Sequence, residues 1–382
     1  MLKVALKMEG KMGNTMSSSF SGFYKGKRVL VTGHTGFKGS WLSIWLRELG
    51  ADVIGYSLNP YTDRDNFVMS KLSEKIVDIR GDVRDFENLK SVFNKYKPEI
   101  VFHLAAQPLV RLSYDIPRET FEQNVMGTIN VLECVRLNDY TKVCVNITSD
   151  KCYDNKEWIW GYRENDPVGG FDPYSASKGC AELAISSYLK SFFSPEDFEK
   201  HGKAVASVRA GNVIGGGDWA KDRIIPDSIR SFDSDRPIEI RSPNAIRPWQ
   251  HVLEPLSGYL LLGSRLLSDP KKFCGGWNFG PNIESLITVK NIVEKLIISM
   301  GKGSWLDTSD KTQLHEAELL NLDCSKALFY LKWKPSLDID RCIELVAKWY
   351  SSYTNEDVYG LCVKQIEDYS QEARKAKNAW AL

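Results

Sequence analysis

The sequence offers no paired cysteines. Its eight (134, 144, 152, 180, 274, 324, 342 and 362) are scattered singly, with no CxxC. In a long chain that pattern fits reduced thiols in a cytoplasmic protein rather than a disulfide framework, and no metal site is expected. An excess of either charge is missing too. Lys and Arg number 50, Asp and Glu 49, and the net charge is +1. With no long basic run, neither nucleic acid nor an anionic membrane is expected as a partner. No apolar run approaches the roughly 20 residues that span a bilayer, so no membrane anchor is expected. The first 23 residues lack the apolar stretch of a secretion signal and read as a mobile tail. Repeats and low-complexity segments are likewise absent. What remains is 382 residues, enough to bury the core of one large or two interlocked domains.

The first apolar run, Lys27 to Thr32, leads directly into Gly33, His34, Thr35, Gly36, Phe37, Lys38 and Gly39. A helical pattern follows, with Trp41, Leu42, Trp45, Leu46 and Leu49 on one stripe and Gly50 as its C-terminal cap. Strand, glycine turn and helix in this order suit a dinucleotide, because glycines let the backbone approach a pyrophosphate at a helix N-terminus. The spacing is GxxGxxG rather than GxGxxG. His34 puts a bulky ring inside the turn; it either weakens retention of the cofactor or points to solvent. The second strand, Asp52 to Tyr56, is followed by Ser57 and Leu58 where an acidic residue would hold the adenine ribose. Arg64 could meet a 2′-phosphate there, so this loop leaves NAD and NADP both open. A fourth strand, Ile100 to Leu104, runs into Ala105, Ala106 and Gln107. The two small residues would let the backbone lie against a cofactor.

The stretch from Asn146 to Lys178 carries the chemistry. Ser149, Asp150 and Lys151 close the apolar run Val143 to Ile147, and ligands of open α/β sheets bind beyond such carboxyl ends. Tyr174 and Lys178 then lie four apart in YSASK, on one face of a helix. The ammonium is expected to lower the phenol's pKa, making a base near neutral pH. Beyond Val205 to Arg209 the strands shorten and Pro and Arg increase. We therefore expect a nucleotide-binding domain of residues 24–211 plus 247–276, a smaller lobe of 212–246 plus 277–370, and an exposed tail of 371–382.

The segments GHTGFKGSWL, HLAAQPLVRLSY, NITSDKCYDN, WGYRENDPVGGFDPYSASKG, RAGNVIGGGDWAKDRIIPD, RPWQHVLEPL and WNFGP, in this order, resemble the extended short-chain dehydrogenases/reductases. Among these they are most similar to the CDP-D-glucose 4,6-dehydratases. The resemblance covers approximately residues 24 to 370. It implies a Rossmann-type α/β fold, a doubly wound parallel sheet with a smaller C-terminal lobe binding a nucleotide sugar. It also implies NAD as cofactor, an internal redox cycle releasing water, a homodimer or homotetramer through helices 119–138 and 174–193, and a role in making dideoxyhexoses for bacterial surface polysaccharide.

Site residues follow from the same resemblance. Tyr174 would take the sugar 4-hydroxyl proton, Lys178 would tune it and hold the nicotinamide ribose, and Ser149 would hold the 4-oxygen. Asp150 would protonate the departing 6-hydroxyl. Lys151 stands where a glutamate is commoner, and is either the C5 base or only an ion-pair partner of Asp150. Asp82 and Val83 match the adenine edge. Asn124 becomes structural support. Gln107, Arg111, Asn212, Arg223, Ile225, Arg247 and His251 fall in segments that hold the nucleotide diphosphate, base and sugar, with Trp160, Tyr162 and Trp219 as candidate walls. A nucleotide-sugar 4-epimerase would share the glycine turn and YSASK but needs no Ser149-Asp150-Lys151 triplet. A non-enzymatic nicotinamide-binding protein would need neither Tyr174 nor Lys178.

Overall fold

The structure, a computed structural model, describes residues 19–309 and 319–382. Residues 1–18 of the expected tail lie outside the described residues. Seven short runs pair in parallel: β1 (Arg28–Thr32), β2 (Asp52–Ser57), β3 (Val77–Arg80), β4 (Ile100–His103), β5 (Val143–Ile147), β6 (Ala204–Arg209) and β7 (Gly275–Asn278). Their order is β7-β6-β5-β4-β1-β2-β3. The chain starts at β1, winds outward to β3, then returns to β4 on the other side. This is the doubly wound Rossmann arrangement, and it opens a crevice at the carboxyl ends of β1 and β4. The inner strands read as near-continuous apolar runs because helices cover both faces of a parallel sheet. All of β5 is buried, and its one polar side chain, Asn146, donates to the Ala206 carbonyl.

Helix α1 (Phe37–Glu48) follows the glycine turn, and Gly50 closes it with φ of +82°, which glycine adopts without steric cost. The expected stripe is buried, and so are Ser40, Ser43 and Ile44 on its flank. The second long helical run, α2 (residues 117–137), is interrupted by a π turn at Glu122–Met126. Helix α3 (Pro173–Ser191) has Asp172 as N-cap, accepting from the Ser175 amide at 2.9 Å, and Pro173 in its first turn.

Beyond β6 the chain forms small two-stranded pairings, among them Ile246–Pro248 antiparallel with Leu286–Thr288 and Ile238–Ile240 parallel with Trp305–Asp307. One continuous apolar cluster joins β1 and α1 to Ile225, Ile238, Ile292 and Trp349, so both expected parts share a core. The edge strand β7 straddles the boundary expected at 276/277. Trp277 and Asn278, read as lobe residues, extend the main sheet.

Both expected tails need correction where they are described. Trp380 is buried, stacks on Phe20 at 5.1 Å and on Tyr369 at 5.5 Å, and its carbonyl accepts from the Phe20 amide at 2.9 Å. Ala373 and Asn378 are buried with it. A terminal position suggested exposure, but the apolar area of one tryptophan is enough to dock the end of the chain.

Candidate active site

The carboxyl ends of β1 to β6 all open into one cavity of about 1610 Å³. A single drug-sized ligand occupies roughly 300–1,000 Å³, so this space has room for two. On one side lies the glycine turn. Gly33 has φ of +76°, and a Cβ there would meet the Ala105 amide nitrogen at 2.7 Å. A Cβ on Gly39 would meet the Gly33 carbonyl oxygen at 2.1 Å. Gly36 faces the cavity with only the Gly33 oxygen at 3.4 Å from such an atom. These close approaches leave a bare backbone cradle, which fits a dinucleotide's pyrophosphate. Thr35, Phe37, Lys38, Asp82, Val83, Ala105 and Ala106 line the same side.

His34 does not point to solvent. The ring is fully buried behind the turn, bonds Asp78 at 2.8 Å, packs edge-on to Phe67 and lies where a side chain at Gly55 would have to sit. It lines neither the cavity nor the surface, because the missing side chain of Gly55 on β2 makes a hole for it. Arg64 also turns away from the adenine-ribose position: its guanidinium lies 3.9 Å over the Trp219 ring and bonds Asp233.

At the end of β5, Ser149 caps the short turn Asp150–Cys152. Its hydroxyl accepts from the Lys151 amide at 3.2 Å and donates to Asp150 Oδ1 at 3.0 Å. The same hydroxyl stands near enough to the Tyr174 phenol to act on its pKa. Asp150 is buried; its Oδ1 lies 3.5 Å from Lys151 Nζ, while Oδ2 has no hydrogen-bond partner and sits against Gly211. The Tyr174 amide donates to Ser113 Oγ at 3.1 Å. Lys178, one turn on, donates to the Ile147 carbonyl at 3.4 Å. Hydroxyl, phenol, carboxyl and two amines thus share one pocket.

The expected phenolate is not produced by this arrangement. Burial pushes Tyr174 up to about 12, with Asp150 adding to it, against the Ser149 hydrogen bond and the Arg223 charge that pull it down. Burial lowers Lys178 to about 8, which weakens the charge that was to act on the phenol. Desolvation, invisible in a four-residue spacing, outweighs the pair attraction.

On the other side of the cavity stand Arg111, Asn212, Arg223, Ile225 and Arg247. Arg223 pairs with Asp218 at 2.8 Å, and Arg111 lies 4.0 Å from Asp222. The Gln107 side chain lines the wall, but its amide is engaged by the Leu109 backbone and Thr120. His251 is misplaced by sequence reasoning: it is fully buried outside the cavity against Trp41, and burial lowers its pKa to about 3. Trp219 is a wall of the cavity, whereas Tyr162 packs behind it on Tyr153 and Trp160 is exposed outside it.

Comparison with known proteins shows the family of the chain. The family model described as GDP-mannose 4,6 dehydratase matches residues 30–195. CDP-glucose 4,6-dehydratase of Salmonella typhimurium is 54% identical over 349 residues, covering 91% of this chain and 97% of that protein. The chain belongs to the CDP-glucose 4,6-dehydratase family. The fold is shared more widely. The crystal structure of dTDP-glucose 4,6-dehydratase from Bacillus anthracis in complex with NAD superposes with a TM-score of 0.70 at 20% identity, covering 87% of this chain and 98% of that one. UDP-glucose 4-epimerase from Thermus thermophilus, complexed with NAD, gives 0.72 at 23% identity, covering 85% and 99%.

In this dehydratase-family chain a second layer of residues, missed in the sequence, underlies the site. Glu182 is on the same face of α3 as Tyr174 and Lys178, and is buried. It accepts from Thr148 Oγ1, from Ser207 Oγ at 2.7 Å, and from Arg209 Nε and Nη2 at 3.0 and 2.8 Å. Arg209 Nη1 reaches the Tyr153 hydroxyl at 2.6 Å, which donates to Asn278 on β7 at 2.8 Å. A glutamate continuing the 174–178 face was the available signal. Asn124, expected as support, does sit under the site: its amide accepts from the Gln107 amide at 2.8 Å and donates to the Gln107 carbonyl and to Ser177 Oγ. It lies within the π turn, and such turns recur at functional sites.

Proposed function

We propose that the protein converts CDP-D-glucose to CDP-4-keto-6-deoxy-D-glucose and water, with NAD held on the glycine turn. The reading is carried by one observation: Ser149 and Tyr174 meet the Asp150–Lys151 pair in the cavity that the glycine turn lines. NAD, when bound, supplies a hydride acceptor for C4 and later a donor for C6. Tyr174 takes the 4-hydroxyl proton, and Ser149 holds that oxygen in line. Burial holds the phenol at about 12, so this transfer runs through the minor phenolate form, its own proton released beforehand to solvent, and Arg223 and Ser149 favour that form. The 4-ketone acidifies the C5 proton, which Lys151 removes after passing its ammonium proton to Asp150 across their 3.5 Å pair. Asp150 gives a proton to the leaving 6-hydroxyl and water departs; the proton held by Lys151 then returns to C5.

Family membership, with 54% identity along nearly the whole chain, supports CDP-glucose over other nucleotide hexoses. The eight free thiols favour a reducing, cytoplasmic setting. Exposed Phe121, Met126, Leu137, Leu183 and Phe192 on α2, α3 and the residue just beyond it favour a homodimer or homotetramer joined through these helices. Incubation with CDP-, dTDP-, UDP- and GDP-hexoses, followed by the alkali-induced absorbance of a 4-keto-6-deoxysugar, tests the activity. We expect product from CDP-glucose; CDP-galactose in its place would mean a 4-epimerase, and no turnover of any sugar would refute an enzyme.

A further inference from the structure

Ser149, Asp150 and Lys151 sit on one short turn at the end of β5, and a single sugar must meet all three. A 3₁₀ turn has poorer hydrogen-bond geometry than a longer helix and little of its own to hold it in place. The Cys152 amide donates to the Ser149 carbonyl at 3.2 Å and the Tyr153 amide to the Asp150 carbonyl at 3.3 Å, which fixes the shape of the turn. Its backbone ties outward are the Asp150 amide to the Ala210 carbonyl, long at 3.4 Å, and the Gly169 amide to the Cys152 carbonyl at 2.8 Å.

Side chains at the two ends add firmer ties. Just before the turn, Thr148 Oγ1 donates to Glu182 and to the Val208 carbonyl at 3.2 Å. Just after it, the Tyr153 hydroxyl accepts from Arg209 Nη1 at 2.6 Å and donates to Asn278 Oδ1 at 2.8 Å, with the guanidinium 4.8 Å from the centre of the Tyr153 ring. Glu182 and Arg209 are themselves joined by two bonds of 3.0 and 2.8 Å, and both are buried. The two ends of the turn thus finish on one ion pair held between α3 and β6. Burial alone would raise the Glu182 pKa, but the Arg209 charge and the hydrogen bonds from Arg209, Thr148 and Ser207 outweigh it and keep the carboxylate below its usual range. The anchor is therefore charged at neutral pH.

We propose that Thr148 and Tyr153 are positioning residues that pin the two ends of this turn to the Glu182–Arg209 pair. Thr148 sets Ser149 for oxidation at C4, and Tyr153 sets Asp150 and Lys151 for the loss of water. This rests on the reading of Ser149, Asp150 and Lys151 as the groups that act at C4, C5 and C6. Neither pin exchanges a proton with the sugar; each acts through its neighbours, and a misplacement of about 1 Å costs about a hundredfold in rate.

The test follows NADH formation and 4-keto-6-deoxysugar formation during a single turnover of CDP-glucose by the NAD-loaded protein, in wild type, Thr148→Val, Thr148→Ser and Tyr153→Phe. Thr148→Val should slow NADH formation about ten- to hundredfold, and Thr148→Ser, which keeps the hydroxyl, should restore most of the rate. Tyr153→Phe should form NADH at a near wild-type rate and lose water about ten- to hundredfold more slowly, so that NADH persists before product appears. KM for CDP-glucose should stay put in all three. Wild-type rates in both Thr148→Val and Tyr153→Phe overturn the positioning, and so does equal slowing of the two steps in both variants, which loosened packing alone would give. Should one of these two variants fail to fold, the other decides by the same split. Wild type that turns over no nucleotide sugar would instead refute the functional reading, and the positioning with it.

Discussion

At the scale of single residues the site divides into oxidation and elimination, and the two can be separated. Asp150→Asn keeps the shape beside Ser149 and removes the proton donor. Water loss should fall by about two to four orders of magnitude, the range for a positioned acid, while NADH absorbance still appears on adding CDP-glucose. Parent-level deoxysugar formation would remove Asp150 from the elimination. Lys151→Met discriminates between the C5 base and a mere ion-pair partner: retention of near-parent elimination means the 3.5 Å contact with Asp150 is its whole role. The pH profile reports on Lys178. Burial brings it to about 8, so its charge is present below that pH and lost above it. If the ammonium supports Tyr174, kcat/KM falls as pH rises through about 8, and Lys178→Arg carries the fall to higher pH; an unmoved limb in that variant would assign the titration to another group.

At the scale of elements, the YSASK spacing showed in advance which face of α3 would look into the cleft, since four residues return a helix to the same side. It did not show what the rest of that face does. Glu182, one further turn along, binds α3 to β5 and β6 through Thr148, Ser207 and Arg209. With only about 5% of its side chain exposed, this pair is one whose breakage strands a charge. Glu182→Gln should cost about 3–5 kcal/mol in chemical denaturation, and adding Arg209→Met should recover part of it. A loss under 1 kcal/mol would show that Arg209 finds water or another partner. His34 and His251 teach the complementary lesson. Each stands inside or beside a motif, yet one ring fills a hole left by Gly55 and the other packs on Trp41. A side chain's direction depends on what the neighbouring strand leaves open, which motif spacing does not record.

For the whole molecule, the C-terminal segment is part of the core rather than an appendage. Trp380 ties the end of the chain to Phe20 and Tyr369, which joins it to the first described residues. Trp380→Ala should cost about 3–5 kcal/mol, as for other buried large aromatics, and expose the C-terminus to limited proteolysis; an unchanged denaturation midpoint would mean the stack adds nothing. Assembly is testable through Leu183, which is 60% exposed on α3. Leu183→Glu should yield monomers by light scattering if α2 and α3 form the joining surface, and an unchanged mass would place the contact elsewhere.

The sequence by itself determined the architecture and the chemical inventory. Alternating apolar runs and helices, a glycine turn after the first strand, and Ser149, Asp150, Lys151, Tyr174 and Lys178 are local patterns, and local patterns follow from backbone geometry and side-chain period. Only the tertiary structure decided what those groups meet. It buried Tyr174 deeply enough to raise its pKa against the expected direction, lowered that of Lys178 by the same burial, and drew Trp277 and Asn278 from the supposed lobe into the sheet. The reason is physical: desolvation and charge coupling depend on atoms distant in the chain, and no spacing along it encodes how much water they exclude.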